Sequence, residues 1–234
     1  MTPKSAPTHS HFTPALFKFM RDLAAHNDRD WFAANKERYV NDLKDPALRF
    51  IVDFGAPLVN ISPHFLADPR PNGGSLFRIY RDIRFSKDKR PYKDHAGIHF
   101  RHTAGKSAHT PGFYLHLQPG ASFVGVGLWR PDTPTLKLIR DFLVDDPARW
   151  EKAVGGKKFR TEFQVSGESL VRPPKGYDPD HPLIDVLKLK DFTAFAPLTQ
   201  KQVTAPGFLD EFADLCRTGG SLVKFVCDAI SQPY

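Results

Sequence analysis

The sequence contains few cysteines and no long apolar run. Two of its 234 residues are cysteine, Cys216 and Cys227, whereas a disulfide scaffold carries more cysteines in a shorter chain. We therefore expect both thiols to be reduced. The sequence has no run of 18 apolar residues, which is the length that would suggest a membrane span. Met1–His11 lacks the apolar stretch of a signal peptide. The sequence thus predicts a cytoplasmic protein that has no membrane partner.

Motifs that specify a known chemistry are also missing. The sequence has no HExxH or CxxC spacing, no Walker pattern and no GxSxG elbow. We therefore predict no metal site and no cofactor. Whether the protein is an enzyme stays open at this stage.

Basic residues, in contrast, are concentrated in one segment. Between Arg70 and Arg101, nine lysines and arginines accompany three aspartates, which accounts for +6 of the net charge of +7. A local positive field attracts anions such as phosphates, carboxylates, nucleic acids or acidic protein surfaces. The alternative is a solvated basic loop with its own ion pairs, because Asp82, Asp88 and Asp94 are interleaved among the cations.

The hydrophobic pattern predicts one domain over residues 12–234, preceded by a disordered tail over residues 1–11. Thr13 and Pro14 have the side chains of a helix N-cap and first helical position. Near the C-terminus, Thr199 is predicted to cap a helix that ends at Gly219–Gly220, after which a last helix follows. The fold therefore has helices at both ends.

Between these helices the period changes to two, as in half-buried strands. The alternating segments are 76–85, 95–102, 113–118 and 123–129, and a further strand is predicted at 191–196. Their spacing is typical of an antiparallel sheet with helices packed on one face. The predicted fold class is α+β, a single domain with an antiparallel sheet of four or more strands flanked by N- and C-terminal helices.

Strand alternation also predicts a candidate site on the face opposite the apolar one. That face would carry Arg78, Tyr80, Arg84, His95, His99, Tyr114, His116 and Trp129. Gly97, Gly125 and Gly127 have the same parity and would leave a depression. Arginine holds phosphate or carboxylate bidentately, and histidine and tyrosine exchange protons. We therefore expect a small anionic ligand here; the alternative, that helices cover this face, stays open.

Two other functions remain open. RNA or single-stranded DNA would also bind a basic segment with interleaved aromatic residues, although the alternation places one of these, Phe77, on the apolar face. A metal-assisted enzyme would require His95, His99 and His116 to converge, with Asp82 as a possible carboxylate ligand. The positive surroundings disfavour a cation.

One long stretch, RIYRDIRFSKDKRPYKDHAGIHF (Arg78–Phe100), resembles the signature of an uncharacterised bacterial and fungal family known as domain of unknown function 2461. Asn27–Tyr39, Gly112–Gly120 and Gly125–Pro131 agree with it, and the resemblance covers roughly Phe12 to Cys216. The resemblance implies a single α+β unit. It implies no settled activity, cofactor or catalytic residue.

Overall fold

The computed structural model of the protein describes residues 10–105 and 109–234. Helices α1 to α4 span Pro14–Ala25, Arg29–Ala34, Lys36–Arg38 and Asp45–Ile61, with a π-helical segment over Tyr39–Lys44. Strands β1 to β3 span Ala96–Arg101, Gly112–Leu117 and Ser122–Leu128. The remaining elements are α5 (Thr133–Asp145), α6 (Ala148–Val154), α7 (Lys157–Glu162), β4 (Gln164–Ser166), α8 (Ile184–Leu187), β5 (Phe192–Leu198), α9 (Gln200–Val203) and α10 (Phe208–Ala229).

The five strands form one antiparallel sheet in the order β1-β2-β3-β5-β4. This confirms the predicted α+β class. Strand β5 returns from the C-terminal half of the chain and pairs with β3 along its whole length, from Ser122 opposite Leu198 to Leu128 opposite Phe192. Within the described ranges, no helix is both long and apolar enough to cross a membrane.

The helix starts follow their local signals. The hydroxyl of Thr13 accepts a hydrogen bond from the Ala15 amide, and Pro14 occupies the first turn of α1. Thr199 and Gln202 form a capping box at α9. Both predicted caps are confirmed. Residues 1–9 of the predicted tail lie outside the described residues, and at its end His11 contacts Asp53, with 2.7 Å between Nε2 and Oδ2.

One face of the sheet packs against α4 and α10. Phe100 lies 4.6 Å from Phe54 of α4 and 5.7 Å from Phe212 of α10, measured between ring centroids. The predicted helix end at Gly219–Gly220 is wrong, because both glycines lie inside α10. A Cβ at Gly219 would lie 2.7 Å from a methyl group of Val126. The glycine therefore lets the helix approach β3 closely.

The predicted strand over 76–85 is also wrong. With the described part of the chain, the backbone of this segment makes only isolated bridges, one between Leu76 and Ile98 and one between Tyr80 and Tyr92. After Phe77, whose amide donates to the Gly97 carbonyl at 2.9 Å, the chain leaves the edge of β1. It then folds back on the residues that precede β1. An extended loop with alternating side chains has the same sequence pattern as a strand, so alternation alone could not separate the two.

Candidate functional site

A cleft of about 490 Å³ lies on the sheet face opposite α10. Side chains and glycines of β1, β2, β3 and β5 line it, together with Phe77 and Lys93 from the loop before β1. This volume is within the range of pockets that hold small organic ligands, about 300 to 1,000 Å³.

Five of the eight predicted site residues line this cleft, namely His95, His99, Tyr114, His116 and Trp129. Strand pairing explains their convergence, because His99 lies opposite Tyr114 and Gly97 lies opposite His116 in the register of β1 and β2. Side chains at these positions point to the same face.

The other three predicted site residues, Arg78, Tyr80 and Arg84, do not line the cleft. They lie on the segment that is not a strand of the sheet, so the strand alternation does not extend to them. Their placement on the polar sheet face was therefore a wrong prediction.

Three arginines of the basic segment pair with neighbouring aspartates. Arg84 pairs with Asp82 at 2.7 Å, and Arg81 and Arg90 both contact Asp88, at 2.7 and 2.8 Å. Hydrogen bonds from Arg84 lower the pKa of Asp82 to about 2. Much of the segment is thus an exposed loop with internal ion pairs.

Lys93 is the cation that this segment contributes to the cleft, and the strand alternation missed it. Its ammonium group donates to the carbonyl oxygen of Arg78 at 2.9 Å and lies 5.6 Å from the ring centroid of Phe77. Among the described residues it has no carboxylate partner. Burial, and secondarily the charge of Arg78, lowers the pKa of Lys93. The basic composition around Lys93 could be seen in the sequence, but the direction of its side chain could not be predicted from it.

Tyr114, His116 and Gln118 form a hydrogen-bonded chain along β2. The Tyr114 hydroxyl lies 3.1 Å from His116 Nδ1, and His116 Nε2 lies 3.0 Å from Gln118 Oε1. Because an amide oxygen only accepts, Nε2 carries the proton and Nδ1 accepts from the tyrosine. The His116 ring stacks between His95 at 4.5 Å and Phe123 at 4.6 Å. The imidazole is thus held in one orientation and one tautomer.

The groups of this chain are neutral at physiological pH. Burial lowers the pKa of His116 and raises the pKa of Tyr114 to about 12. Tyr114 occupies the space above Gly97, where a Cβ would overlap its hydroxyl. The tyrosine oxygen keeps acceptor capacity for a ligand while its proton is directed to His116.

His99 is a buried imidazole with no hydrogen-bond partner among the described residues. Its side chain lines the cleft, the residue is 8% exposed, and its ring nitrogens make no hydrogen bond within the described residues. Burial, and secondarily Arg101, lowers its pKa to about 4. It fits only because Gly112 has no side chain, since a Cβ there would lie 2.5 Å from Nε2. A neutral imidazole is therefore left to hydrogen bond with a ligand.

The histidines do not form a three-residue metal cluster. His95 stacks on His116, whereas His99 packs against Tyr114 with 6.4 Å between ring centroids. Across residues 10–105 and 109–234, no group of three or more His, Cys, Asp or Glu side chains is arranged to hold a metal ion.

Sequence reasoning also missed the contribution of β5. Phe195 pairs with Gly125 and Thr193 pairs with Gly127 across β3 and β5, and both side chains line the cleft. The strand itself was predicted. Its neighbour in the sheet was not, because nothing in a single sequence specifies which strand a distant segment joins.

These features define an α+β protein in which one face of an antiparallel sheet is packed on helices and the other carries an aromatic, histidine-containing cleft. The chain belongs to the conserved hypothetical protein family DUF2461, which it matches over residues 15–225. All cleft residues lie within this match. Comparison with curated proteins and with solved structures found no match.

Proposed function

We propose that the protein binds a small organic anion in the cleft. The carboxylate or phosphate of the ligand contacts Lys93, and a flat apolar body lies among the aromatic rings. The observation that carries this proposal is the ammonium group of Lys93 at the wall of a 490 Å³ cleft, with no carboxylate partner among the described residues.

The position of Lys93 favours an anion. An ammonium group that has lost part of its hydration gains most from a charged acceptor, because charge-assisted hydrogen bonds are the strongest kind. The Arg78 carbonyl satisfies one of its three protons. The remaining donors are available to a ligand oxygen.

The other walls favour a flat ring. Phe123 and Phe195 meet edge to face with centroids 5.1 Å apart, and His116 stacks on Phe123. Rings in such clusters accept a further ring in a stacked or edge-on arrangement. His99 and Tyr114 add neutral hydrogen-bonding groups that orient a polar substituent of the ligand.

The basic segment offers a matched test, because two of its lysines differ mainly in where they point. Lys93 donates to the Arg78 carbonyl and lines the cleft, whereas Lys89 donates to the Ile83 carbonyl at 3.1 Å and is exposed. Calorimetry with 1-naphthoate and 1-naphthyl phosphate would compare Lys93→Met with Lys89→Met. The neutral 1-naphthalenemethanol controls for ring binding alone.

We expect Lys93→Met to weaken binding of the anionic probes by about 10- to 100-fold, the range for loss of a hydrogen bond to a charged group. Lys89→Met should leave their affinity unchanged, and the neutral probe should not distinguish the variants. Equal losses in the two variants, or no loss in Lys93→Met, would contradict the proposed site.

RNA or single-stranded DNA binding is the second candidate, and the exposure of two aromatic side chains favours it. Phe85 is 95% exposed and Tyr80 is 52% exposed; both lie in the basic segment, where bases can stack on them. A single strand of RNA or DNA bound through about six phosphates would give a slope of about −4 to −5 in a plot of log affinity against log salt concentration. Phe85→Ala would weaken this binding. A shallow slope, or binding unchanged in Phe85→Ala, would argue against this function.

A further inference from the structure

Lys93 differs from the paired arginines of its segment in what surrounds its nitrogen. Arg81, Arg84 and Arg90 are held by aspartates. The Lys93 amine instead lies over the Phe77 ring and donates a hydrogen bond to the neutral backbone carbonyl of Arg78. The positive charge of the Arg78 side chain also acts on this amine. An amine without a counter-ion, next to a second cation and inside a cleft, is the environment of nucleophilic lysines.

We propose that Lys93 forms a Schiff base with an aldehyde or ketone bound in the cleft. This inference rests on the proposed function, since it takes the cleft as the ligand site, and it adds a covalent step to it. The ligand class is a small aromatic carbonyl compound.

The surroundings make the amine easier to deprotonate. An ammonium group has no free electron pair, so it must lose a proton before it can attack. Partial burial disfavours the charged form, and the nearby guanidinium of Arg78 acts in the same direction. A carboxylate partner would oppose both effects, and none of the described carboxylates contacts Lys93.

The step balances without an oxidant or reductant. The electron pair on Lys93 Nζ forms a bond to the carbonyl carbon, and the π pair of the C=O bond moves to the oxygen. The oxygen takes up a proton and the nitrogen loses one, which gives a carbinolamine. Its hydroxyl then takes up a proton and leaves as water while the nitrogen pair forms the C=N bond, and the nitrogen releases its remaining proton. One amine and one carbonyl thus yield one imine and one water.

Two neutral side chains of the cleft can assist by hydrogen bonding. The imidazole of His99 has no partner among the described residues, and the Tyr114 hydroxyl has acceptor capacity. A neutral imidazole has one N–H donor and one acceptor nitrogen. Such groups can orient a carbonyl oxygen and the carbinolamine hydroxyl that replaces it.

The test is reductive trapping. The full-length protein is incubated with 4-formylbenzoate and cyanoborohydride, and peptide mapping by mass spectrometry measures the labelling rate at each lysine. We expect Lys93 to be labelled at least about tenfold faster than Lys87 or Lys89. Wild-type protein alone gives this comparison, so it does not depend on the folding of a variant.

Calorimetry with 1-naphthoate on the wild-type protein separates anion binding from the covalent step, because a carboxylate does not form an imine with an amine under these conditions. In Lys93→Arg the fast labelling should be lost, because a guanidinium cannot form the imine. Equal labelling of Lys87, Lys89 and Lys93, with 1-naphthoate binding intact, would overturn the Schiff-base proposal and leave the anion site standing. Fast labelling of Lys93 without 1-naphthoate binding would overturn the anion site instead.

Discussion

The two faces of the sheet are built by the same strands and differ in what their side chains contact. On the covered face, Ile98, Phe100 and Leu115 are fully buried among helices. On the open face, the intervening residues His99, Tyr114 and His116 line the cleft. Alternation along a strand thus separates a face that stabilises the fold from a face that is available for ligand binding.

Polar groups on the open face differ in whether other protein groups satisfy their hydrogen bonds. Tyr114 and His116 satisfy each other and Gln118 by hydrogen bonds. The His99 ring nitrogens have no hydrogen-bond partner among the described residues, and they lie at the cleft, where solvent or a ligand can reach them. The comparison therefore predicts that substitutions on the two faces have different consequences.

The largest expected difference is between two phenylalanines on opposite faces. Phe100 is fully buried and packs on Phe54 and Phe212, so Phe100→Ala should lower the free energy of unfolding by about 3 to 5 kcal/mol. Phe123 is half-buried at the cleft, and Phe123→Ala should cost about 1 kcal/mol through its lost ring contacts. Urea unfolding measures both. Equal costs would contradict the distinction between the faces.

The second prediction concerns the pH dependence of stability through His99. The folded pKa of His99, about 4, is below the ordinary histidine value of 6.5, so the unfolded chain takes up the proton first as the pH falls. Stability is therefore unaffected above pH 6.5 and decreases from there toward pH 4, by up to about 3 kcal/mol.

Unfolding at pH 7 and pH 4.5 in wild type and His99→Gln checks this. The wild-type protein should lose more stability than the variant, because the glutamine does not titrate. Carboxylates with lowered pKa values, such as Asp82, lose their contribution to stability mainly below this pH range. They are present in both proteins, so they do not affect the comparison. Identical pH profiles would argue against a buried neutral imidazole.

A smaller effect is expected from the hydrogen-bonded chain. Tyr114→Phe removes the donor to His116 Nδ1 and should lower the free energy of unfolding by about 1 kcal/mol. Tyr80→Phe is the control, because Tyr80 is exposed and outside the cleft. The prediction fails if the two variants unfold at the same denaturant concentration.

The smallest effect is predicted for the exposed ion pairs of the basic segment. Arg84 and Asp82 are both solvent-exposed, and such pairs contribute little because solvent screens them. Arg84→Gln should therefore leave both the unfolding midpoint and the affinity for 1-naphthoate unchanged. A clear loss of affinity for 1-naphthoate would indicate that the arginines of the loop form the anion site.

Sequence patterns predicted much of the fold because apolar residues alternate with polar or small residues along several of its strands. Positions such as His99 and His116 alternate with fully apolar neighbours, so their face could be assigned from the sequence. The same reasoning failed for Arg78 and Arg84, because charges that pair locally support an extended loop as well as a strand. It also missed Phe195, since the pairing of β5 with β3 depends on contacts between residues far apart in the chain.

The most direct test of the central claim, that the open sheet face rather than the arginine loop binds a small anion, is an amide NMR titration with 1-naphthoate. Gly112, Gly125 and Gly127 line the cleft, and their amide resonances should show the largest changes in chemical shift. The amide resonances of Gly219 on the covered face and Arg84 in the loop should keep their chemical shifts. Saturable shifts at Arg84 and its neighbours, with the three cleft glycines unchanged, would contradict the claim.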